Sequence, residues 1–244
     1  MPTIAELRAA TQPASIFERN SGEHWAGRLY MRRLSPYLTR LLLRTPISAN
    51  GVTWLMIVAG VAAAAVLALP GLLPAIGALL LVQLQLLLDC SDGEVARWRG
   101  QKSLAGVYLD RIGHWVTDAA LPIALGIRAD GDEYVVLGLV IAVLVLMIQG
   151  EGALVTVARA ESGHPPAADT EAVAAPRGGL LRRLRRAART VPFYRAFVAV
   201  EATVLALIAE IAGLTEELVV ALVAVAAITA LGHLVAILAS DRLR

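Results

Sequence analysis

Asp89-Cys90-Ser91-Asp92-Gly93-Glu94-Val95-Ala96-Arg97, followed after a short turn by Gly106-Val107-Tyr108-Leu109-Asp110-Arg111-Ile112-Gly113-His114, is a dense polar string set between two strongly apolar stretches. A charged side chain inside a bilayer costs roughly 2.5 to 3.5 kcal/mol on insertion scales, so acids at membrane depth face a cavity, a partner or a metal. Here acids, an arginine and a histidine stand together.

The surroundings make that placement meaningful. Of 244 residues 57% are hydrophobic with only three Phe, and the mean hydropathy is +0.66. This composition describes an all-α integral membrane protein rather than a soluble core. A hydrocarbon layer about 30 Å thick takes about 20 apolar helical residues, and six stretches of that kind are expected at 51–69, 72–89, 104–126, 134–156, 192–212 and 216–238.

Residues 1–45 carry Glu6, Arg8, Glu18, Arg19 and Glu23 before any long apolar run, so no signal-peptide core is expected there. Of the 22 Lys and Arg residues, seven precede residue 50, three lie between the second and third stretches, eight fall in Arg159–Arg195, two at the C-terminus and Arg111 inside the third stretch; only Arg128 falls in an outer loop. By the positive-inside rule both termini and the polar string face the cytoplasm of a multi-pass cell-membrane protein. One cysteine, Cys90, excludes an internal disulfide and a multi-thiolate zinc site within the chain. Cys90 reads as a small packed apolar residue.

Residues 23–45 interleave Trp25, Leu29, Met31, Leu34, Tyr37, Leu38 and Leu41–Leu43 with Arg28, Arg32, Arg33, Arg40 and Arg44. This reads as a basic amphipathic helix lying in the headgroup plane, the alternative being a cytosolic helix packed on the membrane core. Pro46 and Ser48-Ala49-Asn50-Gly51 end it. The expected organisation is therefore a cytosolic N-terminal segment, 1–45, and a six-helix membrane domain, 46–244, containing one long cytosolic loop at 160–191. Within that loop the Arg182–Arg189 cluster reads as a topology and headgroup anchor or as a phosphate ligand. Its arginines are interleaved with Leu and Ala instead of stacking aromatics, so no nucleic-acid partner is expected.

Spacing supplies the chemistry. Residues three and four apart share a helix face, so Asp89 and Asp92 point one way. Gly93 and Ala96 continue that face with almost no side chain, and Arg97 ends it with a fixed positive charge suited to phosphate. On the next helix Gly106, Asp110, His114 and Asp118 recur every four residues. Oxygen ligands from Asp89, Asp92 and Asp110 suit a hard divalent cation such as Mg²⁺ with a diphosphate as its guest. Each group has a plainer reading: helix capping for the acids, close packing for Gly106, a satisfied core histidine for His114. Gln83 and Gln85 are expected to make interhelical hydrogen bonds, and Trp54, Trp115 and Tyr194 to be packing or interface aromatics.

On these residues the sequence resembles the CDP-alcohol phosphotransferases, whose signature is Asp-x2-Asp-Gly-x2-Ala-Arg, eight or nine residues, then Gly-x3-Asp-x3-Asp. Asp89, Asp92, Gly93, Ala96, Arg97, Gly106 and Asp110 fall on it, seven of eight positions, with eight residues between Arg97 and Gly106. The resemblance spans residues 45–240 and implies a membrane homodimer that transfers a phospho-alcohol group from a CDP-alcohol, CDP-diacylglycerol or a CDP-polyol, to a hydroxyl acceptor with release of CMP. It further implies that Asp89, Asp92 and Asp110 hold Mg²⁺ or Mn²⁺ and the diphosphate. Gly93, Arg97 and Ser103, with Ala96 and Gly106 beside them, would line the nucleotide or phosphate pocket. Asn50 to Thr53 would match a donor-binding Asn-x2-Thr, with Ala49 where the family usually has Pro. The Leu41-Leu42-Leu43-Arg44-Thr45-Pro46 run is similar to the inositol-phosphate-transferring branch, which implies a CDP-inositol-type donor or an inositol phosphate acceptor.

His114 departs from the signature, whose fourth aspartate is a metal ligand and the base for the acceptor. Three readings stand: imidazole takes over as base and ligand; one metal replaces two; or the pocket persists in a non-catalytic CDP-alcohol-binding or scaffold protein. Asp118 lies one turn, about 6 Å, farther along the axis. A transporter would need polar residues through the depth of several helices, whereas Glu151, Glu201 and Glu210 are the few acids inside the last three stretches, with Glu216 and Glu217 only at the edge of the final one.

Overall fold

A computed structural model describes residues 1–13, 26–165, 197, 199–240 and 243, and among these every regular element is helical. In chain order they are α1 (Ile4–Thr11), a π-helical turn (Gly27–Met31), α2 (Arg32–Leu42), α3 (Ala49–Leu67), α4 (Leu72–Arg99), α5 (Leu104–Arg128), α6 (Asp132–Glu161), α7 (Ala199–Ala212) and α8 (Thr215–Leu238). Four of these, α3, α4, α6 and α8, are long and apolar enough to cross a membrane. Of the other two expected spans, α5 has 25 residues but carries Asp110, Arg111, Asp118 and Arg128, and α7 is described only from Ala199. Trp25, Tyr194, residues 166–191 of the expected loop and its Arg182–Arg189 cluster lie outside the described residues.

The described chain forms two compact units. The first comprises Met1–Ala63 and Gly77–Thr117. Its opening helix, α1, begins with a reciprocal cap: Glu6 N–H donates to Thr3 Oγ1 at 3.2 Å and Thr3 N–H to Glu6 Oε2 at 2.7 Å. Thr-x-x-Glu is the capping-box pattern, a signal that the reading of the first 45 residues passed over.

The amphipathic stretch is helical from Ala26, and its inward face is made of small residues. On α2 the buried residues are Ser35, Pro36 and Thr39, while Leu34, Tyr37 and Leu41 are 50%, 60% and 56% exposed. Pro36 has no N–H to give to the carbonyl four residues back. That carbonyl, of Arg32, instead accepts from Gln12 Nε2 at 2.8 Å, and the neighbouring Arg33 carbonyl accepts from Arg8 at 3.1 Å.

Val52, Met56, Ile57 and Ala59 of α3 pack with Leu88 and Val95 of α4 to make this unit's apolar core. Gly113 of α5 faces it, where a Cβ would strike the side chains of Met56 and Ile57. Next to that contact Thr117 donates to the Gly113 carbonyl at 3.0 Å and accepts from Gln85 Nε2 at 3.1 Å. Gln83 accepts from Tyr30 Oη at 2.6 Å. Both glutamines thus make the expected links between helices.

In the second unit, Ala64–Ile76 and Asp118–Arg244, α8 packs along α6. Gly138 lets α6 close on α5, since a Cβ there would lie 2.6 Å from the Pro122 carbonyl oxygen. His233 pairs with Glu151 at 2.7 Å, and Asp118 accepts from Gln149 Nε2 at 2.8 Å.

Arg128 explains its own exception to the charge asymmetry. Its side chain is 1% exposed and pairs with Glu210 at 2.8 Å. It also donates to the carbonyls of Leu67 at 3.0 Å, Leu69 at 2.5 Å and Gly71 at 2.6 Å. The guanidinium therefore caps the carboxyl end of α3 and the turn after it, satisfying carbonyls that the helix leaves without partners. Removing one member of such a buried pair leaves the other uncompensated, so Arg128→Met is expected to cost about 3 kcal/mol or more. Thermal unfolding in detergent would read this as a lower midpoint, and an unchanged midpoint would refute the clamp.

Candidate functional site

Asn50, Thr53, Asp89, Asp92, Gly93, Ala96, Arg97, Ser103, Gly106, Asp110 and His114 all lie within the first unit, on α3, α4, α5 and the turn between the last two. Helix α4 does not stop at the end of the apolar stretch but continues through the whole Asp89–Arg97 string to Arg99. Asp89 and Asp92 are thus interior helix residues, not caps. Gly100, with φ +66°, breaks the helix in a conformation that side chains other than glycine rarely adopt, and α5 restarts at Leu104. Ser103 caps it, its Oγ accepting from Gly106 N–H at 3.0 Å.

The amino end of α3 is tied to this turn. Arg99 donates to the Thr45 carbonyl at 2.8 Å and to the Ile47 carbonyl, and Gln101 Oε1 accepts from Ala49 N–H at 3.3 Å. Neither residue belongs to the motif, yet together they bring Asn50 and Thr53 to the polar string. A Cβ on Gly106 would lie 2.9 Å from Asn50 Oδ1 and 3.3 Å from Ser103 Oγ. Glycine is therefore what lets α5 approach the start of α3.

The four motif positions that carry acid or imidazole divide into two settings. His114 Nε2 is 3.0 Å from Asp89 Oδ1 and 3.6 Å from Asp110 Oδ1. One ligand atom from each of the three lies within 4.8 Å of the others, a set that could hold a cation. His114 and Asp110 side chains are 42% and 43% exposed and Asp89 is 24% exposed, so the set is open to a ligand. Asp92 is 9% exposed and stands outside that trio; its Oδ2 accepts from the buried Thr53 hydroxyl at 2.7 Å.

Around them, Gly93 makes room for Arg97: a Cβ there would lie 3.0 and 3.2 Å from its two terminal nitrogens. Ala96 packs against the apolar core of the unit. Asp118, the next residue of the α5 stripe, is engaged by Gln149.

Sequence reasoning missed Glu94, which occupies a variable position of the motif and is wholly buried. Its carboxylate accepts from Gln12 Nε2 at 2.8 Å, Ser35 Oγ at 2.5 Å and Thr39 Oγ1 at 2.6 Å. A signal did exist: Ser35 and Thr39 are polar residues one turn apart on the side of α2 away from Leu34, Tyr37 and Leu41.

The Asp92 carboxylate depends on one side-chain donor of α3. Thr53→Val keeps the shape but removes the hydroxyl, and an unsatisfied buried acceptor costs about 1 to 3 kcal/mol. Chemical denaturation in detergent should show that loss for Thr53→Val and far less for Thr53→Ser; equal stability of all three chains would mean that the hydrogen bond contributes nothing.

No individually characterised protein matched the chain at a significant level. The family profile for CDP-alcohol phosphatidyltransferase matches residues 46–232, a region that contains Asn50, Thr53, Asp89, Asp92, Asp110 and His114 but not Gln12, Ser35 or Thr39. The chain is a membrane protein of the CDP-alcohol phosphatidyltransferase family, whose members transfer phospho-alcohol groups in lipid synthesis.

Proposed function

We propose that this protein catalyses transfer of a phospho-alcohol group from a CDP-alcohol, either CDP-diacylglycerol or a CDP-polyol, to a hydroxyl acceptor with release of CMP. The observation that carries the reading is the open Asp89–Asp110–His114 set in the family-matched region, its ligand atoms within 4.8 Å of one another. Two carboxylates and an imidazole are suitable donors for a divalent cation, Mg²⁺ or Mn²⁺. When bound, such a cation supplies charge neutralisation for a diphosphate and for the departing CMP.

The residues of the chain divide the remaining work. Asp89, Asp110 and His114 hold the cation, and Asp92, buried against Thr53, holds the adjoining wall of the site. Arg97, over Gly93, takes phosphate oxygens of the donor. Asn50, Thr53, Ala96, Ser103 and Gly106 shape the donor pocket, Ala96 from the core side. The acceptor hydroxyl oxygen attacks the phosphorus next to the donor alcohol, the bond from that phosphorus to the CMP oxygen breaks, and the acceptor proton passes to His114 or Asp110.

The proposal extends to membrane placement. Six spans are formed by α3, α4, α5, α6, the stretch ending in α7, and α8. Residues 1–45 form the cytosolic segment, with α2 as an interfacial helix, and residues 46–244 form the membrane domain. Both termini and the site face the cytoplasm. The positive-inside asymmetry supports that orientation, the more so because Arg128 is consumed by an internal clamp. The exposed Leu34, Tyr37 and Leu41 support lipid contact by α2. We assign a homodimer on family grounds.

One observation favours the alternative of a pocket without turnover: His114 Nε2 is already engaged by Asp89 at 3.0 Å. Purified protein should be offered labelled CDP-diacylglycerol and CDP-inositol against polyols and polyol phosphates, with Mg²⁺ or Mn²⁺. Acceptor-dependent CMP release is expected, falling about 100-fold or more in Asp110→Asn. No release from any pair, with activity appearing in His114→Asp, would establish the non-catalytic reading instead.

A further inference from the structure

The site's phosphate-facing arginine is held from outside the family-matched region. Arg97 Nε donates to the Thr11 carbonyl at 2.5 Å, across a sequence separation of 86 residues. Thr11 is the last residue of α1 and is fully buried, its own hydroxyl turned back to the Leu7 carbonyl at 2.6 Å. The next residue, Gln12, reaches the Glu94 carboxylate at 2.8 Å and the Arg32 carbonyl at 2.8 Å with its one amide nitrogen. Glu94 is three residues before Arg97 on α4, and one turn of helix therefore carries both attachments.

These contacts form a single latch. A guanidinium is a planar fork whose direction is set once one edge is committed. With Nε fixed on Thr11, the two terminal nitrogens are the ones left over Gly93, at 3.0 and 3.2 Å from where a Cβ would stand. A fully buried carboxylate is tolerable only with its oxygens satisfied, and Glu94 obtains donors from α2, through Ser35 and Thr39, and from the chain just after α1, through Gln12. The charge of Glu94 thus draws α1 and α2 to the same turn of α4 that carries Arg97.

We propose that α1 is a positioning element of the donor site: latched through Gln12 to buried Glu94, it presents the Thr11 carbonyl to Arg97 and so orients the phosphate-binding end of that side chain. The inference rests on the proposed CDP-alcohol reading and adds to it a role for residues 1–13. Glu94, Gln12 and Thr11 touch no donor atom; they act through Arg97. The cation set of Asp89, Asp110 and His114 makes none of these contacts.

The test is a double-mutant cycle on the full-length protein in detergent, reading CDP affinity with saturating Mn²⁺ by calorimetry, and Mn²⁺ affinity alone by electron paramagnetic resonance. Gln12→Ala is expected to weaken CDP binding about tenfold when Arg97 is present and less than twofold in an Arg97→Ala background, because the two act as a unit. Mn²⁺ affinity should not move. A second variant lacking residues 1–12 removes the Thr11 carbonyl itself and should match the Arg97→Ala loss in CDP affinity. Equal losses from Gln12→Ala in both backgrounds, or a parallel fall in Mn²⁺ affinity, would show a merely structural role and overturn the inference while leaving the donor reading intact. A wild-type chain that binds Mn²⁺ but not CDP would overturn the donor reading, and the inference with it.

Discussion

A charge buried among apolar helices persists only where the protein supplies what water would have supplied, and in lipid no other source exists. That constraint sorts the ionisable residues of this chain. Glu94 has three side-chain donors, Arg128 has an acid and three carbonyls, Asp92 has a threonine hydroxyl, and Glu151 has His233. Each of these satisfied groups also marks a place where helices are joined. The Asp89–Asp110–His114 set is different in kind. Two carboxylates converge on one imidazole nitrogen in a half-open position, so acceptors outnumber donors and the surplus points at a cation or a ligand. The same rule that explains the fold therefore separates the charges that join helices from the half-open set that could hold a cation.

Helix positions were legible because hydropathy is a property of consecutive residues. The expected stretches 51–69, 104–126 and 216–238 fall within a few residues of α3, α5 and α8. The second stretch was cut at residue 89 because apolarity ends there, while α4 runs to Arg99. What sustains its last ten residues is tertiary, the burial of Glu94 and Val95 against α2 and α3, and tertiary support does not show in a hydropathy window. The motif was equally legible, since helix periodicity alone puts Asp110 and His114 on one face. The pairing of Asp92 with Thr53 was not, because it depends on the register between α3 and α4, which no local pattern encodes.

Helix α2 shows what a local sequence pattern leaves out. An apolar face and a basic face were both visible between residues 29 and 44, and the apolar residues Leu34, Tyr37 and Leu41 do lie exposed. What a two-faced reading could not supply was a third face of small residues, the hydroxyls of Ser35 and Thr39 with Pro36 between them, which is the one that packs inward. Inward polar residues make sense only once their partner is known, and that partner, Glu94, lies 59 residues after Ser35 and 55 after Thr39, at a position the motif leaves open.

His114 raises a question of protons that the geometry narrows. An imidazole nitrogen 3.0 Å from one carboxylate oxygen and 3.6 Å from another would be a contact among acceptors if all three groups presented lone pairs. Either a proton or a cation must lie between them. With a proton on Nε2, His114 is a donor to Asp89. With a cation there, Nε2 is a ligand and the base has to be sought at Asp110. In both cases the aspartate of the family signature has been exchanged for a group with one metal-facing atom where a carboxylate has two, and with one negative charge fewer in the set. A set with a smaller negative charge attracts cations less strongly than one with a further carboxylate in place of the imidazole.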